Sequence, residues 1–572
     1  GAGMREISGG ELKEASLSQL KEICERLRGE IFRTVSVRGG HLASNLGVVE
    51  LTVALYRTFN FPTDKIVFDV GHQCYAHKLL SGRAQKFSTL RSRGGISGFP
   101  KRSESPFDCY ETGHAGTAVS AALGIAKARD LQGESFDVIA LVGDGSFNNG
   151  LIYEALNSLK ILSTRVLIVL NDNGMSISPT VGGTHEVLSE IKGGRAPSED
   201  IALFERYGLR YMGVYNGNDL EELLPALEEA KEALRAQSVL LHVTTRKGQG
   251  YAFCEREPER THGFSPNGAG TEYSAALGEE LTAMAGEDPR IVAVTAAMTD
   301  ALGLRPFFQA FPERAFDVGI CEEHACVLSA ALAAGGMRPY YAIYSTFLQR
   351  AYDEIIHDIC GQGLPVTLCI DRAGVTGADG ETHQGVFDLS YLAPIPNLTI
   401  AVPKNIAEFR AMLRMSASYG KPLAIRYPRE GKEGASNAIE IGKFEILHSS
   451  TSDIIVYAAG ERCIALAERI LALAQKEGMD FTVVNARFVK PVDSQMILSR
   501  REKQVITLED NVLTGGLGDA VARVLRGTDK NLRAFGYPDI FIPHGSAAEL
   551  AEEFGLNSEE ILRYIRECHA RG

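Results

Sequence analysis

Asp144 and Asn173 are hard oxygen donors set where a divalent metal carrying a diphosphate would need them. Gly143-Asp144-Gly145 follows the apolar run 138–142, and Asn171-Asp172-Asn173 follows the apolar run 166–170. An amphipathic stretch, 151–159, lies between them. This order predicts strand, helix and strand in a βαβ unit, with both polar clusters at strand carboxyl ends, where open parallel sheets bind ligands. The flanking glycines let backbone approach phosphate oxygens. A bare Gly-Asp-Gly reads as a turn, and the second cluster with Asn173 is what moves the reading towards a metal site.

The elements that must hold such a site repeat along the chain. Residues 4–265 alternate apolar runs with helical patterns and end in Leu240-Leu241-His242-Val243-Thr244 and Lys247-Gly248-Gln249-Gly250, which predicts a doubly wound α/β domain. A second α/β domain is predicted over 270–435, with strands at 291–294, 340–344 and 366–370 and a helix over 323–333. The polar stretch 430–437 breaks the pattern. A third domain, 440–572, then begins with strands at 453–457, 481–484 and 505–508. The length of 572 residues fits about three or four domains.

A formal charge of −13 argues against a general nucleic-acid or anionic-membrane surface but leaves room for a local basic pocket. No apolar stretch approaches the roughly eighteen residues of a membrane span, and the N-terminus lacks a signal-peptide layout, so a soluble, cytoplasmic protein is expected. Gly1-Ala2-Gly3 ahead of Met4 reads as an expression remnant. The ten cysteines form no Cys-x-x-Cys pair, which predicts neither disulfides nor zinc, and Cys321 and Cys326 read as small buried hydrophobes.

Gly-Asp-Gly with an Asn-containing cluster about thirty residues on resembles the thiamine-diphosphate signature. With Gly39-Gly40-His41-Leu42-Ala43-Ser44-Asn45-Leu46-Gly47, Tyr344-Ser345-Thr346-Phe347-Leu348-Gln349-Arg350 and Thr514-Gly515-Gly516, the chain resembles the 1-deoxy-D-xylulose-5-phosphate synthases over nearly its whole length. The resemblance implies three α/β domains with mainly parallel sheets in a transketolase-like, thiamine-diphosphate-binding fold. The first binds the diphosphate and the second the pyrimidine. It also implies a homodimer, with each active site between the first two domains of one chain. The implied reaction condenses pyruvate with D-glyceraldehyde 3-phosphate, releasing carbon dioxide, with thiamine diphosphate and Mg²⁺ as cofactors. The product is a precursor for isoprene and thiamine biosynthesis.

The resemblance carries roles residue by residue. Glu322, in Gly319-Ile320-Cys321-Glu322-Glu323-His324, would hydrogen-bond the pyrimidine nitrogen; taken alone, it reads as a first-turn helix acid. Phe347 would stack on the pyrimidine after a helix N-cap at Ser345. Asp144, Asn173 and the Met175 carbonyl would bind the metal. Gly113, His114, Ala115, Gly145, Ser146 and His72 would contact the cofactor, with serines commoner in the family at 115 and 116. Lys247 has two readings, a point charge for the diphosphate and a solvated surface lysine. His41, His262 and His383 would move protons, although each alone reads as a structural histidine; His77 is a weaker neighbour. Arg372 and Arg429 would bind the substrate phosphate, with Tyr344 and Asp379 beside them and Arg350 a weaker neighbour.

Between 181 and 201 the family carries a longer segment. The connector over 190–200 is expected to be an exposed bridge with no core contribution. Two other readings compete: a transketolase using a sugar-phosphate donor, which Asp371-Arg372-Ala373-Gly374 disfavours, and a silent paralogue, which the retained Glu322 disfavours.

Overall fold

The apolar runs become strands buried from both sides because helices cover both faces of each sheet. The computed structural model of the chain describes residues 3–174, 182–193, 198–257 and 272–572. The chain divides into two compact units, one of residues up to 268 with Gly319–Cys321, the other of Ala269–Val318 with Glu322–Gly572.

The first unit holds a five-stranded parallel sheet of β1 (Lys65–Phe68), β2 (Val138–Gly143), β3 (Leu167–Asp172), β4 (Leu209–Asn216) and β5 (Ser238–Thr244), in the order β1-β2-β3-β5-β4. The predicted βαβ unit is β2, the helix Gly150–Leu162 and β3. Its register sets Gly143 opposite Asn171, so the two polar clusters leave the sheet side by side. Val138, Ala140, Val142, Ile168 and Leu170 pack under the helices Ala118–Leu131 and Gly150–Leu162, while Ile139, Leu141, Leu167 and Val169 face the opposite layer. Each of the Val, Leu and Ile side chains contributes about 1.5–3 kcal/mol on burial.

The second unit holds two sheets. One contains β6 (Ile291–Thr295), β7 (Ala315–Asp317), β8 (Arg338–Tyr344), β9 (Thr367–Asp371), β10 (Thr399–Ala401) and β11 (Leu423–Arg426), all parallel. The other contains β12 (Glu445–His448), β13 (Ile454–Ala459), β14 (Thr482–Asn485), β16 (Gln504–Val512) and β17 (Asn531–Tyr537), parallel except for the β12–β14 pair. Between β14 and β16 in sequence, β15 (Phe488–Lys490) crosses to the first of these sheets and closes its edge antiparallel to β10. Among the described residues no helix is long and apolar enough to cross a membrane. Cys326 is buried and Cys321 partly exposed.

Two expectations need correcting. Ser345 does not cap the helix Ser345–Leu348; Tyr344 holds that position, and Ser345 Oγ instead donates to buried Asp388 Oδ2 at 2.9 Å. A desolvated carboxylate is the stronger acceptor and takes the hydroxyl. The connector does enter the core. Ile191, within 190–200, joins the first unit's core beside the flanking Leu188 and Phe204, because Val187, Leu188 and Ile191 on the helix Gly183–Lys192 make a helical apolar stripe. Residues 194–197 of the connector lie outside the described residues.

Candidate functional site

In the first unit the ends of β2 and β3 are tied together. The Asp144 amide donates to the Asn171 carbonyl at 3.1 Å, and the Asn173 amide donates to Asp144 Oδ1 at 3.2 Å. Asp144 is 1% exposed and Asn173 partly so. One carboxylate and one amide side chain on adjoining loops are the hard donors Mg²⁺ takes, so the donor chemistry fits that ion. Among the described residues no three His, Cys, Asp or Glu cluster as a metal site, and Met175 lies outside them.

Asp172, between the two asparagines, points into a different network. Its Oδ2 meets His242 Nε2 at 2.8 Å, its Oδ1 meets Lys192 Nζ at 3.0 Å, and His242 Nδ1 meets the Tyr211 hydroxyl at 2.8 Å. Burial alone would raise the Asp172 carboxyl, but the His242 hydrogen bond and the Lys192 charge hold it below its usual range. The anchored carboxylate fixes the backbone on which Asn173 sits.

His41 and His72 come together, ring centroids 5.2 Å apart and edge to face. Fully buried Asn45 holds both loops: its Nδ2 donates to the His41 carbonyl at 2.6 Å and to the His72 carbonyl at 2.8 Å, while its Oδ1 accepts from the Tyr75 amide at 3.0 Å. Before His72 the chain turns through Val70 at φ +62°. A β-branched residue there is strained, and such strain gathers at functional sites. Asp69 accepts from the Gly116 amide at 2.9 and 3.0 Å and from the Ala118 amide at 3.2 Å. The helix Ala118–Leu131 thus has its own protein carboxylate at its positive end, and Gly113, His114 and Ala115 precede that grip. Gly116 sits at φ +96°, where a Cβ would lie 2.5 Å from Asn149 Oδ1, a physical reason for glycine at 116. Lys247 is 7% exposed, which removes its surface reading. His262 lies outside the described residues.

His77 is a correction. Its Nε2 meets Asp108 at 2.7 Å and its Nδ1 meets the Tyr56 hydroxyl at 2.7 Å, and Arg83 grips the same Asp108 at 2.8 Å. Burial pushes this imidazole's pKa down, so it is a neutral structural link, with both ring nitrogens used. Asn45 and Asp69 were missed as site residues. Asp69 ends the apolar run Ile66-Val67-Phe68, the same signal that singles out Asp144.

In the second unit Glu322 opens the helix Glu322–Ala334 and is 5% exposed. Its Oε2 is buried with no hydrogen-bond partner among the described residues, and Arg350 Nη1 stands 3.9 Å away. Burial raises its carboxyl above the usual range, opposed by the Arg350 charge. A first-turn helix acid has no need of such burial. An orphaned acceptor fits a ring N–H donor from a bound pyrimidine, with the Arg350 guanidinium beside it.

Phe347 lies parallel to Tyr344, centroids 5.6 Å apart, and edge-on to His383 at 5.6 Å. The Arg372 guanidinium lies over the Tyr344 ring, 4.6 Å from its centroid. Arg372 sits at φ +52°, held by Asp371 Oδ1, which accepts from its backbone amide at 2.6 Å and its Nη1 at 3.0 Å. Burial pushes the Tyr344 hydroxyl up, while the charges of Arg372 and Arg429 pull it down and that of Asp379 pushes it up, so these groups share one electrostatic neighbourhood. Arg429 is the open member, its side chain 44% exposed and 3.3 Å from Glu272. The Gly374–Gly385 backbone bridge closes the loop that carries Asp379 and His383, and Thr382 Oγ1 meets His383 Nδ1 at 2.9 Å.

Comparison with known proteins gives three family matches: 1-deoxy-D-xylulose-5-phosphate synthase over residues 5–199 and 195–245, the transketolase pyrimidine-binding domain over 269–432, and the transketolase C-terminal domain over 442–561. The two pieces of the first match meet in the connector. Proteins named 1-deoxy-D-xylulose-5-phosphate synthase are similar throughout. One from Clostridium tetani is 42% identical, covering 97% of each chain, and one from Desulforudis audaxviator is 43% identical, covering 97% of this chain and 95% of its own. Among solved structures, a transketolase from Campylobacter jejuni is 19% identical, with a TM-score of 0.47 over 97% of this chain and 100% of that one.

Proposed function

The chain belongs to the 1-deoxy-D-xylulose-5-phosphate synthase family, and from that premise we propose that it joins pyruvate to D-glyceraldehyde 3-phosphate, releasing carbon dioxide and 1-deoxy-D-xylulose 5-phosphate. It is a thiamine-diphosphate-dependent, transketolase-like transferase. The observation that carries the reading is the buried, unbonded Glu322 Oε2. Nothing in folding rewards such an oxygen, whose desolvation costs about 1–3 kcal/mol, whereas a bound pyrimidine N–H would satisfy it.

Thiamine diphosphate, when bound, would supply an acidic carbon able to act as the nucleophile towards the pyruvate ketone and as the sink for the electron pair of decarboxylation. The chain's own residues do the rest. Glu322 holds a proton at the pyrimidine nitrogen, and Phe347 offers the ring an apolar face. Asp144, Asn173 and the Met175 carbonyl would hold Mg²⁺ against the diphosphate, beside Gly145 and Ser146. Lys247 and His114 would offset its negative charge. Arg372 and Arg429 orient the acceptor's phosphate, Arg372 through a strained, braced backbone that fixes its fork. Tyr344 and Asp379 adjoin that phosphate. His41, His262 and His383 move protons on oxygen as ketone, aldehyde and product exchange them, and His72 adjoins the cofactor. The wider reading is a cytoplasmic homodimer supplying isoprenoid and thiamine precursors.

The test incubates the protein with Mg²⁺, thiamine diphosphate and carboxyl-labelled pyruvate, with and without glyceraldehyde 3-phosphate. Labelled carbon dioxide and a five-carbon ketose phosphate are expected. Turnover with xylulose 5-phosphate as donor and none with pyruvate would assign the chain to ketol transfer instead.

A further inference from the structure

The loop from Arg372 to Gly385 carries Arg372, Asp379 and His383, yet much of its support comes from the far end of the chain. Asp510, on β16, is 6% exposed and lies under the start of the loop. Its Oδ1 accepts from the Val375 amide at 3.1 Å and from the Tyr537 hydroxyl on β17, and its Oδ2 accepts from Arg462 Nε at 3.0 Å. Gly374, at φ +81°, passes so close that any Cβ would collide with this carboxylate. The Asp510 carbonyl accepts from Arg426 Nη2 at 2.6 Å, and the same nitrogen reaches the Gly385 carbonyl at 3.2 Å, so one cluster grips both ends of the loop. Further along, Gln384 Nε2 donates to the Pro543 carbonyl at 3.1 Å.

This is more than general packing. Arg372 adopts a left-handed backbone conformation that costs about 1–2 kcal/mol and persists only where its surroundings enforce it. Asp371 enforces it from one side through its own side chain. The Val375–Asp510 bond enforces it from the other, three residues on, and fixes where the chain leaves the strained residue.

We propose that Asp510 is a positioning residue for recognition of the acceptor's phosphate, with the C-terminal sheet serving as the rigid base that sets the Arg372 fork. The proposal rests on the reading of Arg372 as a phosphate ligand. Asp510 itself touches no substrate; it acts through Val375 and Gly374 on the residue that does.

The experiment uses the full chain loaded with Mg²⁺ and thiamine diphosphate. KM is measured for pyruvate, glyceraldehyde 3-phosphate and unphosphorylated glyceraldehyde in Asp510→Asn, Tyr537→Phe, Gly374→Ala and Arg372→Ala. Hydrogen–deuterium exchange over 372–385 is followed on the cofactor-free protein. Losing a charge-assisted contact corresponds to roughly tenfold or more. Asp510→Asn should therefore raise KM for glyceraldehyde 3-phosphate by about tenfold, leave that for pyruvate within about twofold, reduce the preference for the phosphorylated acceptor and speed exchange in the loop. Tyr537→Phe should do the same more weakly, and it carries the test with Gly374→Ala if Asp510→Asn does not fold. A folded Asp510→Asn with wild-type preference, or with equal rises in KM for donor and acceptor, overturns the proposal. If Arg372→Ala lowers the preference while the Asp510, Tyr537 and Gly374 variants do not, the inference alone fails. If Arg372→Ala leaves the preference unchanged, the phosphate reading fails and takes the inference with it.

Discussion

Replacing Glu322 by Gln should separate catalysis from stability in opposite directions. Gln keeps the shape and removes the charge at a side chain that is 5% exposed and has one oxygen unbonded. A hydrogen bond to a charged group is worth about 1.5–3 kcal/mol, or roughly ten- to a hundredfold. Loss of a preorganised contact inside a dry site reaches about 2.7–4 kcal/mol. With Arg350, at 3.9 Å, as this oxygen's one ion-pair partner among the described residues, the upper range applies, and exchange of the thiazolium C2 proton on bound cofactor should slow by about a hundredfold or more. The stability sign is the reverse. The folded carboxyl has its pKa raised above the ordinary 4.5 by burial, so folding takes up protons there. The resulting penalty is absent well below 4.5, grows as pH rises past that value and is complete above the folded pKa. Gln never pays it, so at pH 7 the cofactor-free variant should melt no lower than the parent, and the two should converge in acid. The assay is proton–deuterium exchange followed by NMR on saturated protein, alongside calorimetry from pH 4 to 8. Exchange within about threefold of the parent in a folded, cofactor-saturated variant would refute the assignment of Glu322; a clearly lower melting temperature at pH 7 would refute the burial argument.

Gly116→Ala should lose about 1–3 kcal/mol, because a Cβ at φ +96° would stand 2.5 Å from Asn149 Oδ1, which already accepts the Leu151 amide; an unchanged melting curve would show that the loop relaxes freely. Lys192→Met should cost about 1 kcal/mol at pH 7 by leaving the buried Asp172 carboxylate to His242 and the Gly174 amide, with no full charge of a lysine beside it. Because the folded Asp172 pKa is depressed, that contribution is present above the usual 3.8 and fades as pH falls through the folded value, so the parent and variant curves should meet in acid. A gap that stays constant with pH would mean that Lys192 acts by packing.

The parts of the site legible in the sequence were those written locally. The runs ending at Val142 and Leu170 are strands whose carboxyl ends carry Asp144 and Asn173, and Glu322 opens its helix as its motif requires. Burial on both faces made those strands continuous apolar runs, which period and length suffice to recognise. What stayed hidden depends on partners distant in sequence. Asn45 reaches His72, Asp69 reaches Gly116, and Ser345 abandons its cap for Asp388. No local pattern encodes such pairings, since a buried polar side chain takes whichever partner the fold delivers. His77 deceived for the same reason: its neighbours in sequence pointed to a site, while Asp108 and Tyr56 claimed its ring.

The passage of β15 into the second unit's larger sheet bears on how the chain is made. During synthesis β10 emerges at residues 399–401, and the strand that covers it arrives only at 488–490. That interval of nearly 90 residues takes on the order of 4–18 s of elongation. Until then the sheet exposes a row of unpaired backbone donors and acceptors, the kind of edge that recruits strands from other nascent chains. Ribosome stalling in that interval, or a gene ending before residue 488, should therefore favour aggregates over a smaller soluble fragment.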